Sequence, residues 1–123
     1  MEDSSDGMDL NHLHLGVDDL DAARAFYEKL GFREDCFHGD ALFMVNEVGF
    51  DLALAPVGRA EMPAWFHVGC KLESPDAVRT LQAELSDRVY VHGDAPDFVW
   101  FRVHDPDGYP IEVYWEPQAA APR

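Results

Sequence analysis

The sequence contains an internal repeat: when the chain is shifted by 55 positions, several residues of the first half match identical residues of the second half without a gap. His12 then falls on His67. Further matches at this shift include Asp21 with Asp76, Ala22 with Ala77, Arg24 with Arg79 and Leu30 with Leu85. The string HGDA also occurs twice, at 38–41 and 92–95, with a shift of 54. Repeats of this kind indicate one supersecondary unit used twice, so we predict two copies of one module.

The first strand of copy one alternates between apolar and polar side chains. Leu13, Leu15 and Val17 share one face, whereas His12 and His14 share the other. This period of two is typical of a strand with one buried face. We therefore expect the two histidines to point away from the core.

A helix follows the first strand of each copy. Asp19 suits the N-cap of the first helix, and Gly31 suits its end. Ser74 and Pro75 suit the start of the second helix. Short apolar runs then predict strands at 32–37, 41–45, 50–55, 88–91, 98–103 and 111–115. The turn expected at 92–96 would let His92 swing toward a site.

These patterns predict an α+β fold in which two tandem βαβββ modules form a cupped mixed β-sheet with the helices on the outer face. We place one domain at 10–116, with modules at about 10–56 and 64–116 and flexible termini at 1–9 and 117–123. With one helix per module, one face of the strands is buried and the other is concave. A ligand would bind in that concavity.

The charge of the chain argues against two classes of partner, nucleic acids and anionic membranes. It has 24 Asp and Glu against 9 Lys and Arg, a formal net charge of −15. Such a protein repels nucleic acid and anionic membrane surfaces. Adaptation to a salt-rich cytoplasm and ordinary acidity both explain the composition.

The cysteines and the N-terminus indicate a cytoplasmic protein. Cys36 and Cys70 form no disulfide framework and are expected to be reduced and packed. The first nine residues lack the basic and apolar regions of a signal peptide. No apolar run approaches the roughly 18 residues that a membrane span needs.

One carboxylate interrupts the last strand of copy two. Aligning the turns at Gly49 and Gly108 places Glu112 where copy one has Ala53. Glu112 should face the concavity, because its neighbours in the strand are apolar and point the other way. A carboxylate in such a strand needs a partner, and a metal ion is one.

His12, His67 and Glu112 would form the ligand set of an open non-haem iron site, which also suits manganese, zinc, cobalt and nickel. We favour Fe²⁺ or Mn²⁺. Each residue also has an ordinary structural interpretation. His12 could be a hydrogen-bonded strand histidine, His67 a core histidine and Glu112 a solvated carboxylate at a sheet edge.

Two segments resemble a known superfamily. LNHLHLGVDD at 10–19 with AFYEKLGF at 25–32 is similar to the opening of glyoxalase, bleomycin-resistance and ring-cleaving dioxygenase proteins. DPDGYPIEVY at 105–114 resembles their closing signature. This resemblance to the vicinal oxygen chelate superfamily spans 10–116. It implies metal binding by His12, His67 and Glu112, chelation of a substrate through neighbouring oxygens, and a homodimer whose subunits complete the cups.

Departures from the family pattern bear on which reaction types the chain could catalyse. Ala53 stands where glyoxalase I and methylmalonyl-CoA epimerase have a fourth ligand, which disfavours isomerase chemistry. His14 stands where fosfomycin-modifying members have threonine. Arg102 stands where ring-cleaving dioxygenases have a catalytic tyrosine. No single member of the superfamily fits cleanly, and we expect the reaction to be most like dioxygenase or like lyase or transferase chemistry.

Five further residues are predicted to face the concavity: His14, Phe98, Trp100, Arg102 and Tyr114. Arg102 could clamp an anionic substrate or pair with one of the 24 acids, and His14 could act as an acid or base or lie solvated at the rim. The aromatic residues suit a pocket wall that contacts substrate. We predict a divalent-metal-dependent enzyme acting on a small substrate. The alternative is a metal-free protein that sequesters an antibiotic.

Overall fold

The structure is a computed structural model that describes residues 7–118. It consists of two compact units that divide between Ala60 and Glu61. Each unit contains one helix and one four-stranded sheet. The flexible termini predicted at 1–9 and 117–123 lie mostly outside the described residues.

Unit 1 consists of a mixed sheet and one helix. Its elements are β1 (His12–Gly16), α1 (Leu20–Lys29), β2 (Arg33–His38), β3 (Ala41–Val45) and β4 (Asp51–Ala55). The strand order is β1-β4-β3-β2. β1 and β4 are parallel, and the other two pairs are antiparallel.

Unit 2 has the same topology. Its elements are β5 (Val68–Lys71), α2 (Pro75–Glu84), β6 (Val89–Ala95), β7 (Phe98–His104) and β8 (Pro110–Trp115). The strand order is β5-β8-β7-β6, with β5 and β8 parallel. The prediction of two βαβββ modules is therefore confirmed.

The helix boundaries agree with those predicted from capping residues. The Asp19 carboxylate accepts a hydrogen bond from the Ala22 amide at 3.2 Å, and Ser74 Oγ accepts one from the Ala77 amide at 3.0 Å. These bonds satisfy amides that have no partner inside the helix. Gly31, just after α1, has a φ of 96°, the left-handed conformation that glycine adopts without strain.

The core of each unit lies between its helix and one face of its sheet. α1 contacts β4, and α2 contacts β7 and β8. On β7 the buried residues Val99, Phe101 and Val103 alternate with half-buried ones, as a strand with one covered face requires. We call the opposite face of each sheet the helix-distal face. In unit 2 it carries Phe98, Trp100, Arg102, Glu112 and Tyr114.

The repeated HGDA string is not a structural repeat. In unit 1, His38 ends β2 and Gly39 turns the chain with a φ of 59°. In unit 2 all four residues, 92–95, lie inside β6. The turn predicted at 92–96 is therefore wrong, since β6 continues to Ala95. Strand pairing of these residues with β7 outweighs the local turn preference of Gly and Asp.

The turn before β8 is held by a buried aspartate. Asp105 is 3% exposed, and its Oδ1 accepts hydrogen bonds from the Asp107 and Tyr109 amides, both at 2.9 Å. The Gly108 amide donates to the Asp105 carbonyl at 2.9 Å, and Gly108 has a φ of 89°. This turn fixes where β8 begins, and so it fixes which residues of β8 point away from the helix.

The two cysteines differ in environment. Cys36 is exposed, so the prediction that both cysteines are packed is wrong for Cys36. It lies on β2, whose residues are all exposed. Cys70 is partly covered, and burial raises the pKa of its thiol to about 11.

No helix within residues 7–118 is both long enough and apolar enough to span a membrane.

We predict that a disulfide reagent at pH 8 will label one thiol per folded chain and two after unfolding in urea. Burial raises the pKa of the Cys70 thiol to about 11, so only about one Cys70 thiol in a thousand is thiolate at pH 8. Desolvation and the Asp35 carboxylate also raise the pKa of the Cys36 thiol, but Cys36 is exposed to the reagent. Cys36→Ser should abolish the rapid labelling. Equal labelling rates for the two thiols in the folded protein would contradict the partial burial of Cys70.

Candidate functional site

Glu112 lies in the middle of the helix-distal face of unit 2. Its strand neighbours are Gly69 on β5 and Arg102 on β7. The equivalent residue of unit 1 is Ala53, which lies between His14 on β1 and Phe43 on β3. The register therefore confirms that Glu112 and Ala53 occupy equivalent positions in the two modules.

Arg102 and Glu112 form an ion pair. Arg102 Nε donates to Glu112 Oε1 at 2.9 Å. The Glu112 side chain is 15% exposed and that of Arg102 is 34% exposed. The acid that pairs with Arg102 is thus the predicted metal ligand itself. A carboxylate whose Oε1 accepts this bond still has Oε2 as a ligand atom.

His67 precedes β5 by one residue and is exposed, so it is not a core histidine. Alternation along the strand places it on the same face as Gly69, which pairs with Glu112. Gly69 has no side chain to fill that face. A Cβ there would meet Tyr114 Cε1 at 3.8 Å, an ordinary contact.

The histidines of unit 1 lie on the helix-distal face of β1, as predicted. His12 Nδ1 is 2.9 Å from Asn11 Oδ1. When Nδ1 carries the proton and donates to Asn11, Nε2 is left as an acceptor, the arrangement that metal-binding histidines use. The His14 ring contacts Phe43 edge to face, with centroids 5.6 Å apart.

The three aromatic residues predicted to contact substrate form a cluster in unit 2, which we call the aromatic cluster: Phe98, Trp100 and Tyr114. The Phe98 ring centroid is 6.2 Å from that of Trp100 and 6.0 Å from that of Tyr114. The Trp100 indole lies against Gly93 on β6, because a Cβ added at Gly93 would collide with Trp100 Nε1. Glycine at this position lets the indole lie flat on the sheet.

Sequence reasoning missed one ring pair on this face. Tyr90 and His104 stack with centroids 4.2 Å apart and an interplanar angle of 7°. Strand alternation places His104 on the same face as Arg102, and this signal could have found it. Tyr90 lies at a register shift between Val89 and Val91, which no local pattern announces.

His92 lies on the other side of the sheet. It pairs with Phe101, whose side chain faces α2. It lines a groove of about 530 Å³ between α2 and β6. The groove is lined by Arg79, Gln82, Ala83, Ser86, Val89, His92 and Asp94. The hypothesis that His92 swings toward the site is therefore wrong for this structure, since β6 holds it on the helix side.

The donor atoms suit a divalent metal. Neutral imidazole nitrogens and one carboxylate are ligands for iron, manganese, zinc, cobalt and nickel. His67 and Glu112 belong to one face of unit 2, whereas His12 belongs to unit 1. Among residues 7–118, no group of three or more His, Cys, Asp or Glu side chains is placed to hold one ion.

The fold and the residues of the helix-distal faces define a class: small α+β proteins of two βαβββ modules with polar and aromatic groups on the sheet face that the helix leaves uncovered. The chain belongs to the Glyoxalase/Bleomycin resistance protein/Dioxygenase superfamily, whose family profile matches residues 9–113. No curated protein matches the chain in sequence.

Solved structures of several relatives share the fold. A possible glyoxalase from Bacillus cereus is 32% identical, with a TM-score of 0.75 over 87% of this chain and 98% of that one. Lactoylglutathione lyase from Agrobacterium tumefaciens is 20% identical, with a TM-score of 0.71 over 90% and 96%. The fosfomycin resistance protein FosX from Listeria monocytogenes is 14% identical, with a TM-score of 0.78 over 90% and 95%. The last two show the fold alone.

Proposed function

We propose that the protein is a divalent-metal-dependent enzyme that binds a small substrate through neighbouring oxygens. His12, His67 and Glu112 would hold the metal. The observation that carries this proposal is Glu112: a mostly buried carboxylate on the helix-distal face, beside the open position at Gly69 and on the same face as His67. Family membership supports it.

The proposed roles follow from position. A divalent metal held by His12, His67 and Glu112 would supply a Lewis acid that stabilises negative charge on the substrate. Arg102 holds one oxygen of Glu112 and offers its remaining N–H groups to an anionic group of the substrate. His14 acts as an acid or base, since its imidazole is exposed and oriented by Phe43. The aromatic cluster contacts the substrate.

The proposed reaction is of dioxygenase or of lyase or transferase type. Ala53 is 1% exposed and supplies no fourth ligand, which disfavours the isomerase chemistry of four-ligand relatives. The nitrogen and oxygen donor set favours Fe²⁺ or Mn²⁺. We further propose a homodimer in the cytoplasm, without nucleic-acid or membrane partners, because the net charge of −15 repels both.

Metal titration tests the proposal. Protein stripped of metal and reconstituted with Fe²⁺ or Mn²⁺ under anaerobic conditions should retain close to one ion per chain after desalting. Glu112→Gln should lower the affinity, because a neutral amide is a poorer ligand than a carboxylate. Reconstituted wild-type protein that retains no divalent ion would contradict the proposal.

Mixing two variants that each lack one proposed ligand tests which chain supplies His12. His12→Ala and His67→Ala each lack one ligand. If a partner chain supplies His12, a mixed dimer of the two variants regains one intact ligand set, so we expect about half an ion per chain in that mixed dimer. If all three ligands belong to one chain, every site in the mixture lacks a ligand. Metal content by mass spectrometry of tagged heterodimers distinguishes the two arrangements.

The aromatic cluster also supports a second candidate, a metal-free protein that sequesters a flat antibiotic. Binding of a bleomycin-type drug with unchanged affinity in the presence of a chelator would favour this candidate. Loss of ligand binding on metal removal would favour the enzyme.

A further inference from the structure

We propose that the helix-distal face of unit 2 binds a planar ring that carries a carboxylate, with the carboxylate on Arg102 and the ring on the aromatic cluster. This inference rests on the proposed function, because it names the substrate class of the same site. It is carried by the hydrogen bonding of Arg102, by the position of the aromatic rings and by the contrast with unit 1.

Arg102 is the group that would receive the acid. A guanidinium has five N–H donors and no acceptor, so it recognises planar oxyanions. Only its Nε is engaged, by Glu112 Oε1, and within residues 7–118 neither Nη donates a hydrogen bond to the protein. At 34% exposure the side chain can be reached by a ligand. Glu112 thus orients the guanidinium while leaving both Nη groups for an incoming carboxylate.

Lysine is a weaker choice for the same role. Lys71 is opposite Tyr114 in the sheet and so lies on the same face. Its Nζ is 3.9 Å from Glu116 Oε2, at the limit of an ion pair. An ammonium group lacks the two parallel donors that hold a carboxylate in one orientation. The geometry therefore favours Arg102 as the anchor.

The aromatic cluster begins one pleat from the ion pair. Trp100 is two residues before Arg102 on β7, and Tyr114 is two residues after Glu112 on β8. Residues two apart on a strand are separated by about 7 Å, so a ring attached to the carboxylate reaches this cluster. Trp100 and Tyr114 are themselves opposite each other in the register. Phe98 contacts both rings and supports them from the next pleat.

Gly93 acts as a positioning residue. It faces Trp100 across β6 and β7, and the indole occupies the space of its absent side chain. A larger residue would lift the indole off the sheet and change the shape of the ring site. In unit 1 the position of Arg102 is taken by Phe43. The duplication therefore offers an acid-binding group at this level in only one module.

Binding of 2-naphthoate to metal-free protein tests the inference. We expect saturable binding, read by isothermal titration and by quenching of tryptophan fluorescence. The neutral 2-naphthalenemethanol and the non-aromatic cyclohexanecarboxylate should each bind at least about tenfold more weakly, a difference of about 1.4 kcal/mol. Equal affinity for the neutral alcohol would overturn the role of Arg102.

Matched variants locate the binding. Arg102→Gln should weaken 2-naphthoate at least tenfold, and Gly93→Ala should weaken it while leaving weak acetate binding unchanged. Two variants serve as controls: Lys71→Gln removes a cation from the same face, and Arg79→Gln removes one from the α2/β6 groove. Each should change the affinity for 2-naphthoate by less than about threefold. Loss of binding in either control with retention in Arg102→Gln would overturn the proposal. Circular dichroism of each variant verifies folding, and Arg102→Lys serves if Arg102→Gln unfolds.

The proposed metal-dependent function and the proposed substrate class can be contradicted independently of each other. Metal binding without 2-naphthoate binding would contradict the substrate class and leave the metal-dependent enzyme standing. Binding of 2-naphthoate by a chain that binds no metal would support the acid-binding face and contradict the enzyme. A divalent metal that tightens 2-naphthoate binding would support both, because linkage requires each ligand then to favour the other.

Discussion

His67→Ala should lose at least about 100-fold in divalent-metal affinity while remaining folded. Removing one of three protein ligands costs more than removing an outer partner of a ligand, which itself costs about 10- to 100-fold. The side chain is exposed and precedes β5, so its loss disturbs no core packing. Competition with a fluorescent chelator measures the affinity, and circular dichroism measures the fold.

The matched control is His92→Ala. His92 is a second exposed histidine of unit 2, but it lines the groove on the helix side of the sheet. Its replacement should leave the metal affinity unchanged. If His67→Ala binds metal as tightly as the wild-type protein, or if His92→Ala loses the metal instead, the ligand set is wrong.

Asp105→Ala should lower the free energy of unfolding by about 2–4 kcal/mol, since hydrogen bonds to a charged group contribute about 1.5–3 kcal/mol each and buried amides left unpaired are costly. Asp105 Oδ1 accepts from both the Asp107 and the Tyr109 amides in a buried turn. Alanine removes the one oxygen that accepts both hydrogen bonds. Urea denaturation followed by tryptophan fluorescence measures the loss.

Two controls separate this effect from a change of charge. Asp105→Asn retains one acceptor oxygen and should lose less stability than Asp105→Ala. Asp97→Ala removes an exposed carboxylate from the β6–β7 turn and should change the free energy of unfolding by less than about 0.5 kcal/mol. A loss below 1 kcal/mol in Asp105→Ala would show that the turn does not depend on this side chain. Because the turn sets the start of β8, we also expect weaker metal binding in Asp105→Ala.

Much of the fold could be predicted because local rules and tertiary structure agree in it. Asp19 and Ser74 cap the helices, and the alternation around His12 and His14 matches the buried and exposed faces of β1. The equivalence of Glu112 in unit 2 and Ala53 in unit 1 followed from the shared turn glycines, because the turn sets the register of the strand that follows.

Other features depend on contacts that the sequence does not display. The sequence predicted a turn at 92–96, but strand pairing with β7 keeps His92 and Gly93 in β6. Sequence alternation placed Arg102 on the helix-distal face without indicating which of 24 acids it would meet. The stack of Tyr90 on His104 follows a register shift, and such shifts arise from pairing between strands rather than from local preference.

The departure at Arg102 is the feature with the largest consequence for function. The family resemblance implies tyrosine there in ring-cleaving dioxygenases, and this chain pairs its arginine with the proposed ligand Glu112. A guanidinium donates hydrogen bonds but does not transfer a proton to a substrate, as a phenol can. We therefore propose that Arg102 binds and orients, and that proton transfer falls to His14.

A crystal structure of the protein soaked with Mn²⁺, with anomalous difference density recorded, tests the proposed ligand set. We expect one strong peak per chain, ligated by a nitrogen of His12, a nitrogen of His67 and a carboxylate oxygen of Glu112, with Arg102 still hydrogen-bonded to that carboxylate. A peak at other side chains, such as His92 and Asp94 in the α2/β6 groove, or no peak in fully soaked crystals, would contradict it.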